Sequence, residues 1–472
     1  MCKLYISEIT LGFLISLSFL GVGCKKFVVI DPPSTQIVTA SVFNDNTAAT
    51  AAVTTIYSQM QSDSWSMSQN SGLLSDELVS LSTDGSVQPY YINGLMASSS
   101  SSTGPWKKAY SYIYQANAII EGLAKGIISI SIQKKLTGEA KFIRAFWNFY
   151  LVNCYGDVPL VTTTDYTTNA TLKRTPKALV YQQIVRDLKD AQSLLDSNYI
   201  AGDDTTITVD RIRPTKWAAT ALLARAYLYN KDYANAEMES NILLSNDRYT
   251  LVKDLGSVFL ANNQEAIWQL GVPDPTLFNT TDAYYFILLA PPNNYGPTNT
   301  ATISSNLYNA FEPGDNRKTS WIGVFSITSP DTSYYFPFKY KNSSSDIIEY
   351  NVLLRLAEQY LIHAEALVQQ NKGLDQAVKD INAIRNRAGL GNYSGPKNQT
   401  ALLSAIMHER QVELFVEWGH RWFDLIRTGN VDSVMSVVTP IKGGNWKPEY
   451  ALYPIPQSER NIDFNLTQNP GY

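Results

Sequence analysis

Over most of this chain apolar residues recur every three to four positions, and that spacing predicts helices. Between residues 42 and 60 the stripe is Phe43, Ala49, Ala52, Val53, Ile56 and Tyr57, with Ser41 placed to cap its start. A second helix is expected at about 105–125, with Trp106, Tyr110, Ile113, Ala116, Asn117, Ile120 and Leu123 on one face, and a third at about 132–155. Thr175-Pro176 suits the cap and first helical position of another, to about Leu195. Periodic runs continue at 214–229, 232–244, 352–370 and 374–388. The periodicity fades in two stretches. Residues 61–104 are Ser-rich with scattered aromatics, and their run from Ser98 to Ser102 reads as loop. Residues 250–350 are dominated by Asn, Thr, Tyr, Gly and Pro, with short strands expected at Ala266–Leu270 and Phe336–Lys341. The pattern therefore predicts a mostly α fold with minor β. Its helical frame lies mainly in 42–60, 105–245 and 352–428, interrupted by two irregular, aromatic-rich regions and followed by an irregular tail at 446–472.

The densest stretch runs from Met407 to Gly429. Val412, Phe415, Val416, Trp422, Phe423 and Ile426 make one apolar face, and Gly419 suggests a break between two helices. Glu409, Glu413 and Glu417 repeat every four residues, with Arg410, Arg421, Arg427 and Asp424 within pairing distance. Several carboxylates and two histidines could serve acid–base chemistry, which needs groups held at different pKa values. Alternating Glu and Arg at helical spacing points instead to a buried ion-pair network that locks helices together. His408-Glu409-Arg410-Gln411-Val412 is not a zinc motif, because a second histidine would be needed where Val412 stands. His363, alone on an amphipathic helix, reads as structural.

Composition narrows the function classes. The 472 residues carry a formal net charge of −4, so no basic field exists to hold nucleic acid. Aromatics make up 12%, with 29 Tyr and 9 Trp, and exposed Tyr and Trp are the side chains on which sugar faces stack. Three cysteines, Cys2, Cys24 and Cys154, give no disulfide framework, and Cys154 is expected as a buried free thiol. Three histidines without a Cys/His cluster argue against a transition-metal site, so no cofactor and no metal are expected, although a structural calcium stays possible. Residues 1–23 read as a secretory leader: Lys3, then twelve largely apolar residues from Ile9 to Leu20, then Gly21-Val22-Gly23. A cysteine directly after small residues resembles a lipoprotein box, which would make Cys24 the lipidated first residue of the mature chain, a single domain over 24–472. Lipidation would anchor the protein without a spanning helix.

Longer strings carry a family resemblance. Glu409-Arg410, Glu413-Leu414, Glu417, Gly419, Arg421, Asp424-Leu425 and Arg427 match the C-terminal signature of the SusD/RagB family, with Trp418 inserted before the glycine. Glu139-Ala140-Lys141-Phe142-Ile143-Arg144-Ala145 and Gly156-Asp157-Val158-Pro159-Leu160 resemble two further family motifs, with Lys141 replacing the usual Arg. Ser75-Asp76-Glu77, Asp315-Asn316-Arg317, Tyr453-Pro454-Ile455-Pro456 and Gln468-Asn469-Pro470-Gly471-Tyr472 resemble others, so the likeness spans the mature chain. Ala221 to Ala236 resembles a tetratricopeptide helix pair, turned at Lys231-Asp232-Tyr233, and 352–388 holds a related pair.

The resemblance implies a tetratricopeptide-like frame in an outer-membrane lipoprotein facing the cell exterior. Such a protein sits as a lid on a SusC-like TonB-dependent transporter and delivers a nutrient, usually an oligosaccharide, without catalysing a reaction. Candidate ligand contacts, chosen from composition and loop placement, are Trp65, Tyr90, Tyr91, Tyr285, Tyr295 and Trp321. Three alternatives stay open. One is a peptide-binding member of the same family, and another is an interaction scaffold. The third is a glycosidase, which needs two carboxylates roughly 5–10 Å apart. Asp76 and Glu77 are adjacent in sequence, which does not establish that geometry.

Overall fold

The computed structural model describes residues 42–272, 279–292, 298, 300–328 and 331–472, with the Trp65 side chain excepted. The expected leader, Cys24 and Tyr295 lie outside the described residues. Helix α1 (Asn46–Leu74) starts where the Asp45 carboxylate accepts the Ala48 N–H at 2.8 Å. It runs on to Leu74, through residues expected to be irregular. The hydroxyls of Ser64, Ser66 and Ser71 bond carbonyls three or four residues back. That satisfies polar side chains without water, so serine content here does not mark a loop. Strand β1 (Leu78–Ser80) follows.

Helix α2 (Ser100–Lys125) likewise absorbs part of the serine run expected as loop, and Ser101 and Ser102 are buried. Pro105 lies inside α2 and has no N–H for the Ser101 carbonyl. The Tyr90 hydroxyl donates to that carbonyl instead.

Helices α3 (Ile130–Tyr155), α4 (Lys177–Leu194), α5 (Lys216–Tyr229) and α6 (Tyr233–Leu244) continue the chain, each packed on the one before, with α3 packed on α2. Ala219, Ala221, Ala224 and Ala226 are fully buried, and their small side chains let α5 approach its neighbours closely. Lys231, at φ +61°, makes the expected tight turn before Asp232 caps α6.

The second insertion holds β2 (Ala266–Leu270), α7 (Thr281–Phe286), β3 (Ala301–Ile303), β4 (Ile322–Thr328), β5 (Asp331–Pro337) and β6 (Asn351–Arg355). They form three antiparallel ribbons, β1–β3, β2–β6 and β4–β5, with Leu78 opposite Ile303, Ala266 opposite Arg355 and Ile322 opposite Pro337. The strand at Ala266–Leu270 is as expected. The one expected at Phe336–Lys341 instead spans 331–337, because its partner β4 begins only at Ile322, after the helical turn Asn316–Trp321.

Helices α8 (Leu356–Gln369), α9 (Leu374–Arg387) and α10 (Gln399–Glu413) resume the frame. α8 packs on α6, and α9 and α10 pack on α8 around Ala364, Val368, Ile381 and Ile406. His363 Nδ1 meets Asp380 Oδ2 at 2.6 Å and ties α8 to α9, the structural role expected for it. Helices α11 (His420–Arg427), α12 (Val431–Ile441) and α13 (Gln457–Ile462) lead into the tail. There the Asn469 amide donates to the carbonyls of Tyr155 and Tyr453 at 2.9 and 2.7 Å, fastening the tail to the end of α3. Cys154 beneath it is a buried free thiol, pushed up to about 12 by burial. Among the described residues no helix is long and apolar enough to cross a membrane.

Candidate functional site

The charged stretch at 409–427 is an ion-pair network, and it is buried. Arg355 bonds Glu265 Oε1 at 2.9 Å, Glu413 Oε1 at 2.6 Å and both oxygens of Glu417 at 2.9 Å. Arg317 reaches Asp315, Glu409 and Glu413 at 2.8, 3.0 and 3.1 Å, and Arg387 pairs with Glu265 and Glu413. Burial alone would raise the Glu413 pKa. Arg387, Arg355 and Arg317 outweigh it and hold the carboxyl well below the usual range. Arg410 and Arg427 both bond Asp424, and Arg427 also holds Glu365. The signature carboxylates are thus committed to guanidinium partners that join the second insertion to α8–α11. Glu312, His408 and Glu409 do converge, with ligand atoms within 4.8 Å of one another. Arg385 already bonds Glu312 and Glu409 there, at 2.5 and 2.7 Å, so a guanidinium supplies the balancing charge.

The network also clamps a strained turn. Val416 and Trp418, between α10 and α11, have φ of +52° and +44°. A β-branched residue at positive φ persists only where its surroundings over-determine it. Here the Val416 N–H donates to Glu77 Oε2 at 3.2 Å and the Trp418 N–H to Ser68 Oγ at 3.3 Å. Lys339 Nζ donates to the carbonyls of Glu413 and Phe415 at 2.8 and 2.9 Å.

Beyond this core the second insertion carries several rings that reach solvent. Helix α7 rests against α1 and presents Tyr284 and Tyr285, edge to face with centroids 5.2 Å apart. Tyr284 is 45% exposed and Tyr285 is half-buried. Strand β5 packs against β3, which brings Tyr335 onto Tyr308 with centroids 4.2 Å apart. The Lys318 ammonium lies 3.7 Å from the Tyr308 centroid. Tyr91 is half-buried, with Lys442 Nζ 5.6 Å from its ring centre.

Of the expected contacts, Tyr91 and Tyr285 thus keep part of their surface exposed. Two others do not. Tyr90 is 2% exposed, held by the gap that Pro105 leaves in α2 and by the edge of Tyr453. Trp321 is fully buried, its Nε1–H on the Leu255 carbonyl at 2.9 Å. Neither has a ring face to offer a ligand. The Trp65 backbone lies in α1, while its side chain and all of Tyr295 are outside the description.

Comparison with known proteins assigns this arrangement. A sequence model of the SusD family matches residues 326–472, and one described as starch-binding, associating with the outer membrane, matches 30–228. A SusD-like protein, P2, of Formosa agariphila is 27% identical over 416 residues, covering 78% of this chain and 80% of the relative. The chain belongs to the SusD/RagB family. Its fold is also that of solved SusD structures. A SusD superfamily protein from Bacteroides vulgatus superposes with a TM-score of 0.79 at 23% identity, over 91% of this chain and all of that one. A laminarin-binding SusD-like protein superposes at 0.71 with 23% identity, over 90% and 99%.

In this SusD-family chain the Ser75-Asp76-Glu77 motif lies under β1 and the charge network. Arg421 grips Asp76 through two bonds of 2.8 Å. Glu77 is buried, and its Oε1 has no hydrogen-bond partner among the described residues. Burial first, and the charge of Asp76 second, push its carboxyl up to about 8. A carboxyl raised on folding keeps a proton that the unfolded chain has already lost, so its contribution to stability falls as pH rises from about 4.5 to about 8. Lys442, lowered to about 7 by burial, acts in the opposite sense only above that value. Between pH 5 and 7, Glu77→Gln is therefore expected to flatten the decline, by up to about 1.4 kcal/mol per pH unit. Urea midpoints of both proteins across that range test this, and parallel curves would refute it.

Sequence reasoning missed Tyr308 as a ring of the site and left Tyr335 off the contact list. Nothing local to either residue announces the pair, because it depends on β5 lying against β3.

Proposed function

We propose that this protein captures an oligosaccharide at the cell surface and passes it to a SusC-like TonB-dependent transporter, held to the outer membrane by a lipid on Cys24. The observation that carries the reading is the set of tyrosine rings, Tyr284, Tyr285, Tyr308 and Tyr335, on an insertion framed by helical repeats. The starch-binding description of one family model and the laminarin-binding relative support a glycan as ligand. Sugar C–H faces stack on the rings while hydroxyls bond nearby polar groups. Such contacts stay partly wet, so affinity is expected in the micromolar to millimolar range, about 4–8 kcal/mol.

Binding without chemistry is favoured over hydrolysis by the state of the carboxylates. Asp76 is bidentate to Arg421, Glu77 is buried, and the 409–417 glutamates face guanidinium groups, so none is poised as an acid–base pair over a substrate. A groove of about 590 Å3 along the repeats, lined by Tyr229, Lys231, Tyr233, Glu365 and Arg427, suits the transporter-facing side that the family implies.

Affinity electrophoresis of residues 25–472 against starch, laminarin and other polysaccharides tests the reading. One glycan should retard the protein, and the paired substitution Tyr284→Ala and Tyr285→Ala should weaken that retardation about tenfold or more. If no glycan retards the wild type, the ligand is not a glycan and the peptide reading takes its place.

A further inference from the structure

Away from the tyrosine insertion, a second aromatic cleft of about 450 Å3 opens between the first half of α2, the 159–170 segment and α13. Trp106 and Tyr110 lie at its base with ring centroids 4.8 Å apart. The Tyr110 hydroxyl donates to the Pro159 carbonyl at 2.8 Å, which fixes the ring. Three large side chains lining the cleft are left in water: Tyr114 is 54% exposed, Tyr166 80% and Ile462 78%. Apolar surface gathered around one concavity marks a binding site more often than scattered exposure does.

The polar lining narrows the occupant. Lys107 faces Glu459 at 3.8 Å, so the cleft's one lysine is already opposed by a carboxylate and offers no free cation to a phosphate. Tyrosine faces beside a balanced, water-exposed charge pair fit an uncharged polyhydroxy ring. Its C–H face would cover the aromatics, and its hydroxyls would meet the Lys107 ammonium and the Glu459 carboxylate. A hydrocarbon ligand would strip water from that charge pair and return no hydrogen bond.

We propose that this cleft is a second oligosaccharide-binding site, separate from the tyrosine insertion and resting on the glycan-binding reading above. Two sites on one rigid frame would let a long glycan be held at both, raising retention without tighter individual contacts.

Calorimetric titration of residues 25–472 with four neutral probes, maltoheptaose, laminariheptaose, xylohexaose and mannohexaose, tests it. For a probe that binds, the wild type should show a stoichiometry of two. The paired substitution Tyr114→Ala and Tyr166→Ala should remove one equivalent or weaken it about tenfold or more. Both rings are exposed, so the fold should be unaffected. The variant Tyr284→Ala with Tyr285→Ala should keep the cleft equivalent. Binding of one equivalent that is lost in the Tyr284/Tyr285 variant and unchanged in the Tyr114/Tyr166 variant overturns the second site alone. If no probe binds the wild type, the second site and the glycan reading fall together.

Discussion

Arg355→Ala is expected to lower stability by about 3–5 kcal/mol or more, the cost of leaving a buried ion pair half removed. The residue is 2% exposed, and its guanidinium is the common partner of Glu265, Glu413 and Glu417. Without it, Glu417 keeps only Lys339 as an ion-pair partner among the described residues, and the Glu413 carbonyl that bonds Arg355 Nη2 loses a donor. The damage is expected to spread to the strained turn at Val416, since Arg355 and Lys339 both hold the Glu413 carbonyl at its start. Typical domains are stable by only about 5–15 kcal/mol, so the loss is a large share of the total stability. Arg355→Lys should recover part of the loss, because it restores the charge but not the fork that reaches three carboxylates. Urea unfolding followed by tryptophan fluorescence measures both. A midpoint for Arg355→Ala close to that of the wild type would show that the network adds little to stability.

Trp321→Ala should cost about 3–5 kcal/mol, as expected for emptying a large aromatic site in a packed core. Its ring lies among Phe259 and Phe415, and the cationic groups of Lys339, Arg387 and Arg355 stand 4.9, 5.6 and 6.0 Å from its centre. The substitution therefore removes an apolar filling and a partner of three buried cations together. Glycan affinity of the fraction that folds should be unchanged. Thermal melts and affinity electrophoresis on one preparation separate the two effects. Unchanged stability with lost glycan binding would return Trp321 to the ligand site.

The outcome at Trp321 illustrates why the rings were harder to read than the frame. Sequence locates an aromatic in an irregular segment but does not say which way it faces. Tyr90 and Tyr91 are neighbours, yet one fills the hydrogen-bond gap left by a proline and the other stays half-exposed. Serine misled in a related way. In α1 and at the start of α2, hydroxyls bond carbonyls nearby, so a polar composition is compatible with a long helix.

The periodic runs, the alanine-rich pair at 221–236 and the Glu–Arg spacing at 409–427 were legible along the chain, because helix faces and ion pairs at three and four residues are local geometry. The family strings are likewise read without coordinates. Tertiary structure alone decided which of the aromatics keep a face in water. It also assembled the Tyr308–Tyr335 pair, and it brought Arg355 and Arg317 from the second insertion onto the glutamates of α10. These contacts join residues far apart in the chain, and only the packing of β5 on β3 and of the insertion on the helical frame brings them together.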